Sequence, residues 1–284
     1  GYEAGRYSTG SFNTFLGSEA GKGGQTTAPF SSGEKNVAIG YQAFDAFTTG
    51  YRNTVLGYKA GTAVTVGYSN VLIGYEGGEG VTSGYENVVI GANPSQANLQ
   101  QSTFIGFNAG KEGTANKAVG IGYRALGAGT LTSGADGTVA IGYEAGKALT
   151  EGQYNTFLGY EAGEGLTTGD ANTYLGYNAG KSTTTYSGNT VMGYQAMSNT
   201  APGASNVAVG YKAMMCPTGL GTSNNNPVQS VAIGYEALTA VSTGDNNVAV
   251  GFQAMSGSAL AGNNNVAVGM QAGKVLQGAA HSNT

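Results

Sequence analysis

Asn155-Thr156-Phe157-Leu158-Gly159-Tyr160-Glu161-Ala162-Gly163-Glu164-Gly165-Leu166-Thr167-Thr168-Gly169-Asp170-Ala171 is one copy of a seventeen-residue unit, and Asn172 opens the next. The marker glycine of that unit recurs from Gly1, Gly17, Gly40 and Gly57 through Gly159, Gly176 and Gly193 to Gly234, Gly251 and Gly269. A unit this short cannot bury a core of its own. It must stack on its neighbours, so the chain is expected to be a solenoid.

With the marker glycine as position zero, position −1 is always large and aliphatic, and position −3 is always Val or Thr. Such residues favour an extended backbone, and alternation by two places −3 and −1 on one face of a short strand. That face is expected to point into the coil. Position −2 then lies opposite, yet it is mostly apolar, as in Phe15, Val55, Leu72, Val89, Phe104, Phe157, Tyr174, Val191 and Ala249. A strand apolar on both faces is covered on both faces. A single narrow coil covers one, so the −2 residues are expected to form an interface with sister chains.

Beyond the glycine, position +1 is usually Tyr, +2 is polar and +3 is Ala except at Gly77 and Pro94. Position +2 is expected to be solvated, with +1 and +3 packed on neighbouring coils. Asn fills position −4 in most copies. It suits a corner, because it tolerates left-handed backbone, and stacked amides can also bond coil to coil. Thr49-Gly50, Ser83-Gly84, Thr168-Gly169 and Thr243-Gly244 are expected to supply a second turn with positive φ. About sixteen coils at one-strand spacing would make a rod on the order of 75 Å long.

Three spacings exceed the period and predict corner insertions near residues 22–33, 128–137 and 216–229. Insertions in solenoids bulge at corners, often on a binding face. Phe30 is the residue in them that best fits a recognition loop.

Composition narrows the function classes. Gly makes up 51 of 284 residues without a collagen period, and charged residues are only 10%. A net charge of −4 gives no electrostatic footprint for nucleic acid, and no apolar run is long enough to span a bilayer. The chain starts and stops inside a repeat without a capping unit, which suggests one solenoid segment, residues 1–284, of a longer chain.

Motifs that suggest chemistry have plainer readings. Gly120-Ile121-Gly122-Tyr123-Arg124-Ala125 matches a dinucleotide fingerprint but lacks the strand–turn–helix context that chemistry needs. Glu144 and Glu161 share a position in adjacent coils, near the ~5 Å spacing of a retaining glycosidase pair. Lys59, Arg124, Asn178 and Gln195 occupy the same column, which reads as a solvated ladder. Cys216 and His281 each stand alone, so neither a disulfide nor a histidine cluster is available within the chain. No catalytic, metal or cofactor site is expected, and the chain is not read as an enzyme.

Asn-Thr-Phe-Leu-Gly-Tyr-Glu-Ala-Gly at Asn155–Gly163 resembles the shaft repeats of bacteriophage tail fibres and related tail-fibre-domain proteins. Many of these precede an endosialidase-type self-cleaving chaperone. Ser230-Val231-Ala232-Ile233-Gly234 is similar to the core of trimeric autotransporter adhesin heads. The resemblance covers the whole chain and implies a left-handed parallel β-roll. It also implies a homotrimer, with the −2 residues facing its axis. The expected role is an extracellular shaft or adhesin segment, on a virion tail fibre or a cell surface, that contributes to receptor attachment. The alternatives are an adhesin head binding glycan or matrix and, further off, a polysaccharide-degrading β-helix.

Overall fold

The computed structural model describes residues 1–24, 30–94, 98–111, 113–127, 131–199, 203–215, 227–239, 244–257 and 262–274. The insertion segments 25–29, 128–130 and 216–226, with Cys216, lie outside the described residues, as do Thr243 and His281. The chain divides into two compact units, Gly1–Thr138 and Val139–Thr284.

Both units are β-solenoids with the same coil. The first holds strands β1 (Thr14–Leu16), β2 (Val37–Ile39), β3 (Thr54–Leu56), β4 (Val71–Ile73), β5 (Val88–Ile90), β6 (Thr103–Ile105) and β7 (Val119–Ile121). The second holds β8 (Val139–Ile141), β9 (Thr156–Leu158), β10 (Thr173–Leu175), β11 (Thr190–Met192), β12 (Val207–Val209), β13 (Val231–Ile233), β14 (Val248–Val250) and β15 (Val266–Val268). Within each unit every strand pairs in parallel with the next in sequence. The register is that of the repeat, with Phe157 opposite Tyr174 and Leu158 opposite Leu175. The β-branched residue at −3 and the aliphatic one at −1 do form strands, as their propensity predicts.

The marker glycine ends each strand at a φ between +123° and +143°. A tight turn follows, in which the N–H of Ala162 donates to the carbonyl of Gly159 at 3.5 Å. The residue at +2 is left-handed, as at Gln42, Lys59 and Glu161 with φ of 51°, 51° and 50°. This column is therefore a half-buried turn column rather than a freely solvated one. Ala at +3 is buried from Ala20 to Ala254 and half-buried in the terminal copies at Ala4 and Ala272, in keeping with close approach of the backbones.

At the other corner the left-handed residue is at −5, not at the asparagine. Lys35, Arg52, Tyr154 and Ala171 have φ between 54° and 59°. The asparagine instead points inward, where its amide bonds coil to coil. The Asn53 side-chain oxygen accepts from the backbone N–H of Asn70 at 3.0 Å, while its Nδ2 donates to Gly67 O at 2.8 Å. The expected positive φ at Gly50, Gly84, Gly169 and Gly244 is also corrected, since none of the four adopts it. They are small because the next coil lies too close, and a Cβ on Gly50 would stand 2.7 Å from Gly67 O.

Non-glycine residues at left-handed φ cost roughly 1–2 kcal/mol each. Ala171, exposed at φ 54°, has no polar side chain that could compensate by a hydrogen bond. Ala171→Gly is therefore expected to stabilise the second unit by about 1 kcal/mol. A rise in the denaturation midpoint checks this, since the same change at an ordinary φ would lower it.

Candidate functional site

The strand decides which surface is available. In β9, Phe157 is fully buried, whereas Leu158 is 44% exposed. The same pattern holds along both units. Val55, Leu72, Val89, Phe104, Tyr174, Val191 and Ala249 are all buried inside their own coil, and Phe15 is half-buried with its ring 5.6 Å from Phe47. The assignment of these residues to an interface with sister chains is therefore corrected. Period-two alternation is present, but its phase is reversed: −2 faces the core, and −3 and −1 face outward.

The physical reason is a shared compartment. The −2 side chain and the residue at +4 occupy the same core volume. Where −2 is large, +4 is glycine: a Cβ on Gly163 would come within 2.6 Å of the Phe157 ring, and one on Gly180 within 2.6 Å of Tyr174. Where −2 is small, +4 is large and buried, as with Ala38 and Phe44, Ala208 and Met214, Ala232 and Leu238, and Ala249 and Met255. Val191 with Met197, Ala140 with Gly146, Ala267 with Gly273 and, in sequence, Val89 with Ser95 depart from this rule. Position +7, filled by Phe47, Val64, Val81, Leu149 or Leu166, closes the core. The fingerprint-like Gly120 belongs to the same account, since a Cβ there would lie 2.7 Å from the Phe104 ring of the preceding coil. Close interior packing favours such compensation.

Tyr174 is the one polar member of the inner column. Burial pushes its phenol up to about 12, against a smaller opposing effect of the neighbouring Thr183 and Asn189 side chains.

The outward columns make the candidate site. The −1 residues Leu16, Leu56, Leu158, Met192 and Ile233 are at least 40% exposed, and their neighbours in the column are half-exposed. The −3 column beside them is Thr or Val at every strand, so neither column carries a charge. A contiguous apolar strip of this kind within each unit is a candidate association surface.

Next to it, past the marker glycines, the +1 tyrosines stack ring on ring. In the first unit Tyr41, Tyr58 and Tyr75 stack at 5.5 and 5.3 Å, and Tyr51, Tyr68 and Tyr85 form a second ladder at 5.0 Å. In the second unit the ladder runs from Tyr143 to Phe252. The Tyr75 phenol is held above its ordinary value by a hydrogen bond and the charge of Glu76. Partial desolvation, then Glu161 and Glu236, do the same at Tyr160 and Tyr235. These phenols are protonated at neutral pH.

Glu144 and Glu161 are held in one chain of ion pairs. Lys147 Nζ meets Glu144 at 2.9 Å and Glu164 at 3.2 Å, and Lys181 bridges Glu164 at 3.2 Å to Glu161. Burial works to raise the Glu164 carboxyl, but the hydrogen bonds from Lys147 and Lys181 outweigh it and hold it below its usual value. These ion pairs clamp adjacent coils together. The carboxyl pushed toward neutrality is Asp45, raised to about 6 by burial, with Glu19 adding to the shift. It belongs to a different unit from Glu144 and Glu161. No group of three or more candidate metal-ligating side chains occurs among the described residues.

Phe30 is 47% exposed and lies over Tyr7 with ring centroids 6.0 Å apart. Beside it Ser31 is buried. Its hydroxyl accepts from Gly24 N–H at 3.0 Å and donates to Phe47 O, anchoring the return of the first insertion. In the second insertion Leu131 and Ala135 are buried, so part of that loop serves the core.

No protein family, curated protein or solved structure matches this chain.

Proposed function

We propose that the chain is a structural shaft segment of an extracellular fibre, in which copies associate through the −3 and −1 columns. The observation that carries this reading is the uncharged aliphatic strip left open along the strands of each unit. Covering it is favourable by about 1 kcal/mol for each half-exposed aliphatic side chain. Repetition along the strands adds these small terms into a long interface without a single strong anchor. A homotrimer, as in the fibres and adhesins that the repeat resembles, covers one such strip per chain around a common axis. Rigidity follows from coils bonded to their neighbours through backbone, asparagine amides and stacked rings.

Analytical ultracentrifugation tests the proposal. The wild-type chain is expected to sediment as a trimer. The pair Leu158→Asp and Met192→Asp, which places two charges on the outward column, is expected to sediment as a folded monomer with unchanged circular dichroism. A wild-type chain that stays monomeric at every concentration would overturn the reading. So would a variant pair that assembles as well as wild type.

A further inference from the structure

In the second unit six tyrosines stand in one ladder, with ring centroids 4.8, 5.2, 5.0, 5.2 and 4.9 Å apart from Tyr143 through Tyr160, Tyr177, Tyr194 and Tyr211 to Tyr235. Successive ring planes lie within 12° of parallel. The rings are 38–44% exposed, so an oxidant in solution reaches them, yet each has a phenol neighbour beside it. Phe252 continues the stack at 5.2 Å but has no hydroxyl.

We propose that this ladder is a site of oxidative modification, at which tyrosines of adjacent coils couple into dityrosine. The oxidant is a peroxide acting through a one-electron catalyst such as a haem peroxidase. Each of two phenols gives up one electron and one proton to form a phenoxyl radical. The radicals join by a carbon–carbon bond between ring positions ortho to the hydroxyls, and the two ring hydrogens move to oxygen to restore both phenols. Overall two tyrosines lose two hydrogens, and one hydrogen peroxide becomes two waters.

Geometry favours the intramolecular product. A radical on one ladder ring has its partner already in place, so coupling needs ring sliding and no diffusive encounter. Tyr2 and Tyr154 are more exposed, at 71% and 67%, but take part in no ring stack among the described residues. Exposure alone would favour those two, whereas stacking favours the ladder. Each bond ties together coils that are otherwise joined by hydrogen bonds and packing.

The test treats the dilute full chain with haem peroxidase and hydrogen peroxide, followed by dityrosine fluorescence and mass spectrometry of linked peptides. Links are expected between ladder neighbours, each with the loss of two hydrogens, in a yield independent of protein concentration. Tyr177→Phe keeps the stack and is expected to abolish the Tyr160–Tyr177 and Tyr177–Tyr194 links while leaving Tyr143–Tyr160 and Tyr211–Tyr235. The proposal fails if no dityrosine forms. It fails equally if the links centre on Tyr2 and Tyr154, or if they disappear on dilution.

Discussion

Gly159→Ala is expected to destabilise the second unit by about 4 kcal/mol or more, enough to abolish a cooperative transition in a marginal solenoid. Two costs combine. Gly159 has φ 141°, a region that side chains rarely adopt, which costs on the order of 1–3 kcal/mol. Its added Cβ would stand 2.7 Å from the carbonyl carbon of Gly176 in the next coil, closer still to the oxygen, and 3.2 Å from the nitrogen. Backbone cannot swing aside as a side chain does, so the coils must separate. The bonds that Gly159 N–H makes to Ile141 O at 2.9 Å and Gly176 N–H makes to Leu158 O at 2.8 Å stretch with them. Gly188→Ala is the control. Gly188 also has positive φ, but the nearest atom to its Cβ would be Ser205 Oγ at 3.5 Å. The control should lose only about 1 kcal/mol. Urea denaturation of the two variants followed by circular dichroism separates clash from conformation, and equal losses would show that the close approach is not what the marker glycine serves.

The same contrast explains what could be read from residue order and what could not. The period, the three-residue strand before each marker glycine and the asparagine column were legible, because each rests on one residue class recurring at a fixed place in most copies. The phase of the strand was not. Position −2 ranges from Gly120 to Tyr174, which looks too variable for a core, whereas −1 is uniformly aliphatic and looks like one. Judged one column at a time, both faces are apolar, and hydrophobicity cannot rank them. The deciding signal couples two columns. Phe157 stands with Gly163 and Ala249 with Met255, so in most coils a large member is offset by a small one. A charge at Phe157 or Ala249 is consequently a lesion inside the coil, and the candidate site moves to Leu158 and its column. The turn chemistry was hidden for a related reason. Left-handed backbone falls on Lys59, Glu161 and Arg52 as well as on glycines such as Gly61 and Gly163, because coil-to-coil bonding overrides local preference. Exposed tyrosines were visible as a column, but their ring stacking depends on the spacing of the coils.

Asn53→Asp should be the most pH-sensitive substitution in the first unit. Asn53 is buried, and each face of its amide has a set polarity. Its Nδ2 donates to Asn36 Oδ1 at 3.2 Å and to Gly67 O at 2.8 Å, while its Oδ1 accepts from the N–H and Nδ2 of Asn70, both at 3.0 Å. A carboxylate keeps the two bonds to Asn70 but turns a second oxygen toward two acceptors in a buried site. Leaving a buried charge so opposed costs roughly 3–5 kcal/mol. Burial and the two facing acceptors both disfavour ionisation, so the carboxyl at position 53 must titrate higher in the folded chain than in the unfolded one. The sign follows: below the unfolded value of about 4 both states are protonated and the penalty is smallest. As pH rises past that value the unfolded chain ionises first, and stability falls until the folded carboxyl ionises too. When protonated, the group donates one hydrogen bond in place of two, so acid restores most of the loss but not all. Asn53→Ala, which strands Gly67 O and both Asn70 donors at every pH, should lose about 3 kcal/mol without that recovery. Ser102 fills the same column with a hydroxyl that does both, accepting from Ala118 N–H at 3.3 Å and donating to Ala115 O at 3.2 Å. Thermal midpoints of the two variants between pH 3 and pH 8 decide the matter, because parallel curves would mean that the amide ladder is held by shape rather than by the polarity of its bonds.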